Sequence, residues 1–349
     1  MFEEREDMAP VHRESPYKSA RVFVGVVAVL LVLAWVGLSW WTSMPGRSWD
    51  EPLPKLSVQQ ERVKEALKVH VEKLAGEIGE RHLERPEALS KAQKYIERQM
   101  TAFGFEVKAL PVPSGQQVAY NLEATLLGED EPEHIVVIGA HYDTAVGSPG
   151  ANDNATGVAV VLEMARAMAG RRLTRTVRFV FFANEEPPHF KQESMGSLVY
   201  AQEARQRGDV ITAMFSIESV GVYRNRRDTQ QYPPFLDLVY PSQGNFVAFV
   251  GMGGSQALLE RSIGTFRKRA QIPSEGLSAP SWVEGVDFSD HWSFEQANYP
   301  AIMVTDTAFM RDRHYHTAND TPARIRYRHM TLLLWGMLKV ARTEASRQR

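Results

Sequence analysis

Hydrophobic and polar positions follow three rhythms along this chain. Residues 22–41 (VFVGVVAVLLVLAWVGLSWW) form an unbroken apolar run without a charge. That is about the length needed to cross a bilayer core, and Trp40 and Trp41 suit its far interface. Residues 42–56 (TSMPGRSWDEPLPKL) are rich in proline and read as a linker. From Ser57, a capping residue, Val63, Leu67, Val71 and Leu74 recur near helical spacing and predict a helix to about Leu74. A second helix is expected from about Pro86 to the stop signal at Gly104.

The rhythm then alternates between short apolar runs and amphipathic stretches. Strands are predicted at 118–127, 135–139, 177–182, 210–217, 246–250 and 301–304. Helices are predicted at 154–169, with Val158, Val161, Leu162 and Ala165 on one face, at 198–206, from about Ser255, and at 329–345. Residues 224–245 are too irregular for more than a loop. Strands interleaved with helices predict an α/β fold, a mixed, mostly parallel central sheet covered by helices on both faces. One N-terminal transmembrane helix would precede it, and a single catalytic domain would fill 57–349.

Charge sets the expected orientation. Arg13, Lys18 and Arg21 precede the apolar run, and Arg47 is the one basic residue close behind it. The positive-inside rule places a short tail, 1–21, in the cytoplasm and everything after residue 42 on the extracytoplasmic side, periplasmic or extracellular. A cleaved signal peptide is the rival reading, but the apolar core exceeds the usual length and no A-x-A site follows Trp41. A formal net charge of -2 over 349 residues gives no electrostatic case for nucleic acid. The absence of cysteine excludes disulfides, thiolate nucleophiles and Cys-ligated zinc. Any metal must be held by His, Asp and Glu, a set that suits zinc and also admits manganese or cobalt. Nothing in the sequence fixes an oligomeric state.

Candidate chemistry gathers at the expected strand ends, where open α/β sheets bind ligands. AHYDTAVGSPGANDNATG carries His141, Asp143 and Asp153; ANEEPPHF carries Glu185 and Glu186. Glu218 closes the strand at 210–217, and HYHTANDT beyond 301–304 holds His314 and His316. Metal-assisted hydrolysis needs carboxylates with two jobs, one binding a cation and one taking a proton from water. Neighbours such as Glu185 and Glu186, just past a strand, can point to different sides of one small site.

In this order H-Y-D, G-A-N-D-N-A-T-G, N-E-E and H-T-A-N-D-T resemble the zinc aminopeptidases of metallopeptidase family twenty-eight, over about residues 60–345. The resemblance implies two zinc ions per chain. His141 and Glu218 would bind one, Glu186 and His316 the other, and Asp153 would bridge them. Asp143 would orient His141 through its other ring nitrogen, and the bond after Asp153 would be a non-proline cis peptide. Glu185 would be the general base. Glu218 stands where the family usually has aspartate, one methylene shorter. His316 is preferred to His314 as the ligand because T-x-x-D-T follows it, leaving His314 a pocket or structural role. Asp290 and His291, in FSDHWSF, match a family segment near the site, where Asp290 would hydrogen-bond a ligand or the substrate amine. The implied activity is hydrolysis of the N-terminal bond of peptides with a free N-terminus, by an enzyme held to the membrane by its first helix. Two alternatives share the scaffold: a glutaminyl cyclase-like mono-zinc acyltransferase, and a catalytically silent receptor-like ectodomain.

Overall fold

Residues 16–347 are described by a computed structural model of the chain, which divides after Ser43 into two units. The first unit is one helix, α1 (Pro16–Trp41); residues 1–15 of the expected tail lie outside the described residues. Its stretch Phe23–Trp41 has a mean hydropathy of 2.4 and contains no buried residue. That length and composition suffice to cross a membrane.

The second unit starts at Met44. Its opening stretch, read as a linker, is irregular but tied down: Arg267 donates to the carbonyls of Met44 and Gly46, and Arg328 to that of Leu53. Ser57 then caps α2 (Val58–Val71), its hydroxyl accepting from the Gln60 N–H while the Gln60 side chain accepts from the Ser57 N–H. A π-helical turn, Glu72–Ile78, ends at Gly79, and Pro86 opens α3 (Pro86–Ala102). The strands are β1 (Val107–Ser114), β2 (Gln117–Leu126), β3 (Glu131–His141), β4 (Arg175–Phe182) and β5 (Val210–Glu218), followed by β6 (Val247–Gly251), β7 (Ser274–Ser278) and β8 (Ala301–Thr305). The remaining helices are α4 (Gly157–Met168), α5 (Gly196–Arg207), α6 (Gln256–Arg267), α7 (His291–Gln296) and α8 (Tyr327–Ala345).

These strands form one sheet in the order β1-β2-β4-β3-β5-β8-β6-β7. The pairs β4–β3, β3–β5, β5–β8 and β6–β7 are parallel, and β1–β2, β2–β4 and β6–β8 antiparallel. Alternate residues of β3 explain why both faces are covered. Val136, Ile138 and Ala140 join the core packed under α2, α3, α4, α6 and α8, whereas Ile135 and Val137 pack with Tyr200 and Ala204 of α5 and Phe294 of α7. Each such fully buried side chain contributes about 1.5–3 kcal/mol of hydrophobic stabilisation. At the other end of that second face the cover comes mainly from loops, with Trp292 of α7 at its margin. Ala248, Val250 and Met303 instead pack with Tyr232, Val283 and Val286 from long loops.

Three elements escaped the sequence pattern. Strand β1 carries Pro111 and Pro113, which read as breakers, yet an edge strand needs ladder donors on one side only. Strand β7 and helix α7 are too short to register as a period. Boundaries move as well: β3 runs over Glu131–His141 rather than 135–139, and the helix expected from residue 154 begins regularly at Gly157, because Asp153 and Asn154 hold non-helical backbone angles.

Candidate metal centre

Strands β4, β3, β5 and β8 run in one direction, so their carboxyl ends share one rim of the sheet. His141 is the last residue of β3 and Glu218 the last of β5. Beyond β3 the chain turns at Gly150, whose φ of +62 and close approach to the Asp153 carbonyl exclude a side chain. That turn delivers Asp153 to the rim, where Asp320 accepts hydrogen bonds from the N–H groups of Asn152 and Asp153. The Asp153–Asn154 peptide bond is cis.

Asp153 divides its carboxylate between two neighbourhoods. Its Oδ1 lies 3.1 Å from Nε2 of His141, which is 3.2 Å from Oε2 of Glu218. Its Oδ2 lies 3.0 Å from Nε2 of His316, which is 2.9 Å from Oε2 of Glu186. Ligand atoms of His141, Asp153 and Glu218 fall within 4.8 Å of one another, as do those of Asp153, Glu186 and His316. A third group of the same compactness is His141, Glu185 and Glu186.

The turn that carries the two glutamates opens at Asn184 in a left-handed conformation (φ 57), which Asn tolerates better than most residues. Glu185 Oε2 then lies 3.9 Å from Nε2 of His141, outside the two groups built on Asp153. Glu186 faces His316 and accepts the Ala145 N–H through its other oxygen. Asp143 pins this turn, its two oxygens accepting from the N–H groups of Glu185 and Glu186. The same carboxylate approaches Nδ1 of His141 at 3.4 Å, as a group fixing the imidazole tautomer would. The longer Glu218 is anchored too, by the hydroxyls of Ser219 and Ser289.

Electrostatically the rim is unfinished. Asp143, Asp153, Glu185, Glu186, Glu218 and Asp290 are all buried beside His141, His316 and the buried Arg81. Burial pushes the Glu186 carboxyl up to about 8 and that of Glu185 well above the usual range. Burial opposes ionisation of Asp153 as well, but His141 and His316 hold its carboxyl below the usual range. His316 itself is lifted to about 10: burial pulls it down, and Asp153 and Glu186 more than reverse this. Both oxygens of Asp153, both ring nitrogens of His141 and Nε2 of His316 are buried without a hydrogen-bond partner. Buried polar atoms left in this state are expensive unless a cation takes them, so the donor set fits divalent metal.

The other expected residues fall into two groups. Asp290 is fully buried with neither oxygen in a hydrogen bond of normal geometry, although Ser197 pulls on it, and burial raises its carboxyl to about 7. It is close enough to interact with His141 and Glu218. His291 places Nε2 2.8 Å from the Val286 carbonyl and joins none of the three groups, and burial lowers its imidazole to about 4. His314 also lies outside them, contacting Arg313 while its N–H donates to Asp312. Sequence reasoning missed Asp320, although it stands inside the quoted H-T-A-N-D-T, and Tyr315, whose ring stacks on His316 with centroids 3.8 Å apart. It also missed Ser289 and Arg81, whose guanidinium holds the loop after β3 through the Tyr142, Pro149 and Gly150 carbonyls.

Comparison with known proteins places the chain in a family. The family model described as Peptidase family M28 matches residues 121–341. The uncharacterized protein YfbL of Escherichia coli K12 is 31% identical over 299 residues, covering 83% of this chain and 90% of YfbL. A probable leucine aminopeptidase of Arthroderma otae is 26% identical over 249 residues, 67% of this chain but only 59% of that protein. Among solved structures, a zinc aminopeptidase of Bacillus subtilis superposes with a TM-score of 0.64 at 16% identity, covering 86% of this chain and 97% of its own. A glutaminyl cyclase of Bacteroides thetaiotaomicron gives 0.61 at 15% identity, covering 85% and 100%. At such identities the superpositions establish a shared fold and nothing finer.

Proposed function

The chain belongs to Peptidase family M28, and from that membership we propose that it is a membrane-anchored di-zinc aminopeptidase in which Glu185 is the general base. Helix α1 is the anchor in this reading, with residues 1–21 cytoplasmic and the catalytic domain, 57–349, extracytoplasmic. The observation that carries the proposal is the divided carboxylate of Asp153, which faces His141 and Glu218 with one oxygen and Glu186 and His316 with the other. His141, Asp153 and Glu218 would hold one zinc, and Asp153, Glu186 and His316 the second. When bound, such a pair supplies a Lewis acid that polarises a carbonyl and lowers the pKa of water.

The chain's own residues do the rest. Glu185 reaches the same rim without belonging to either Asp153-centred group, which leaves its carboxylate free for proton transfer. It takes a proton from the attacking water as the new C–O bond forms and delivers it to the departing nitrogen as the C–N bond breaks. Asp143 holds the Glu185–Glu186 turn and the His141 ring in place. A free substrate α-ammonium is drawn to the surplus carboxylates, Asp290 among them, which confines cleavage to the first residue.

The test is metal content together with substrate class. Two zinc ions per chain and hydrolysis of aminoacyl chromogenic substrates, but not their N-acetylated forms, are expected. The glutaminyl cyclase-like alternative is favoured by one zinc and cyclisation of a Gln-initiated peptide, and the silent ectodomain by no metal binding at all.

A further inference from the structure

An apolar chamber opens directly beside the metal centre. It holds about 750 Å³ of empty space, counting its open mouth, and lies on the sheet face walled mainly by loops. Glu218 stands at one end and Glu275 lines it on β7. Strand register explains the line between them. Glu218 pairs with Thr305, Thr305 with Ala248 and Ala248 with Glu275, one row running across β5, β8, β6 and β7. Three strand spacings of about 4.8 Å put the two glutamates about 14 Å apart along the floor. The walls are aromatic, with Tyr232, Tyr240, Phe246 and Phe309 among them.

Glu275 is an odd residue for such a place. Its nearest cation is Arg267, 3.5 Å away, yet the Arg267 guanidinium is already committed to the carbonyls of Met44, Pro45, Gly46 and Ser274 and to the Ser274 hydroxyl. Among the described residues no group donates a hydrogen bond to the Glu275 carboxylate. Glu284, a third lining carboxylate, is exposed at the mouth and has no ion pair among the described residues. The chamber lining thus offers carboxylates and no cation among the described residues, Arg267 and Arg311 standing behind it. An aromatic wall with a carboxylate at its end is the environment that stacks a planar guanidinium and binds its forked donors.

Building on the aminopeptidase reading, we propose that this chamber receives the side chain of the substrate's first residue and that Glu275 selects a long side chain ending in a cation, arginine foremost. The apolar floor takes the methylene stem, the tyrosines and phenylalanines flank the guanidinium, and Glu275 accepts its hydrogen bonds. A side chain of similar length without the charge leaves Glu275 short of donors, and this asymmetry is what discriminates.

The experiment compares arginyl and norleucyl chromogenic substrates on the zinc-loaded full chain. The expected ratio of kcat/KM is about tenfold or more in favour of arginine, collapsing toward one in Glu275→Gln. A wild-type ratio at or below one, or a ratio that Glu275→Gln leaves in place, overturns the assignment. A second measurement needs no variant. Free L-arginine should compete at about tenfold lower concentration than L-norleucine, and equal or weaker competition also counts against Glu275. Efficient norleucyl cleavage with poor arginyl cleavage sinks this inference alone, whereas no cleavage of any aminoacyl substrate sinks the peptidase reading beneath it.

Discussion

The crevice has two halves built on opposite principles. On the β3–β4 side, carboxylates and imidazoles crowd together with atoms of His141, Asp153 and His316 unpaired among the described residues, and each comes from a loop or strand end with a recognisable local motif. On the β8–β6–β7 side, the chamber is lined by apolar and aromatic side chains from strands and loops more than 80 residues apart in the chain, Tyr232 to Tyr315. On the proposals above, the first half serves chemistry and the second serves choice. A charge constellation needs few residue types at fixed places and leaves a trace in sequence. An apolar container needs only shape, which many sequences supply.

The largest effect should fall on the chemical half alone. Glu185→Gln is expected to keep both metals and lose turnover by about 10³-fold or more, while still binding substrate, because it removes a proton acceptor and no ligand. Near-normal turnover, or loss of a metal, would take Glu185 out of the base role. A step down in size comes from Asp143→Ala, which should weaken metal binding about 10–100-fold by freeing the His141 ring. Titration with a competing chelator reads this directly, and an unchanged affinity would mean that the 3.4 Å approach to Nδ1 carries no function.

The chamber half is probed by crowding its floor. Ala248→Leu adds bulk on the row from Glu218 to Glu275, one strand short of Glu275. The kcat/KM for leucyl substrate should fall about tenfold relative to alanyl substrate, with zinc content unaltered. A uniform drop for both substrates would show that the two halves are not separable in this way.

The legibility of the fold followed the same division. Every strand of the central parallel set, β4, β3, β5 and β8, was anticipated, since burial on both faces writes a plain apolar run. Strand β7 was not, because SEGLS carries glutamate, glycine and serines that no period distinguishes from a loop. The residues His141, Asp153, Glu185, Glu186, Glu218 and His316 were named from their neighbours in sequence. Asp320 was read past although it lay in a quoted motif, because its work, holding the Asn152 and Asp153 N–H groups, exists only once distant turns meet. Glu275 was unreadable for the same reason: its meaning depends on a row across four strands.

That residue also sets the smallest and most discriminating prediction. Burial raises the Glu275 carboxyl to about 7, against 4.5 for the free side chain, despite Arg267 nearby. A carboxyl lifted in the folded state disfavours ionisation there, so its contribution to stability is intact below pH 4.5 and is lost as pH rises through about 7. At 1.36 kcal/mol per unit, the full cost above pH 7 reaches about 3 kcal/mol. Its side chain remains 22% exposed, and solvent screening brings the expected figure down to about 1–2 kcal/mol. Glu275→Gln should therefore stabilise the protein at pH 8 and leave it nearly unchanged at pH 4.5, as thermal unfolding at the two values would reveal. Such a cost is what the proposed selection of a cationic side chain would offset. Free arginine should recover part of that cost in the wild type at pH 8 and none in the variant. Equal stabilisation of both by arginine would place its binding somewhere other than the chamber.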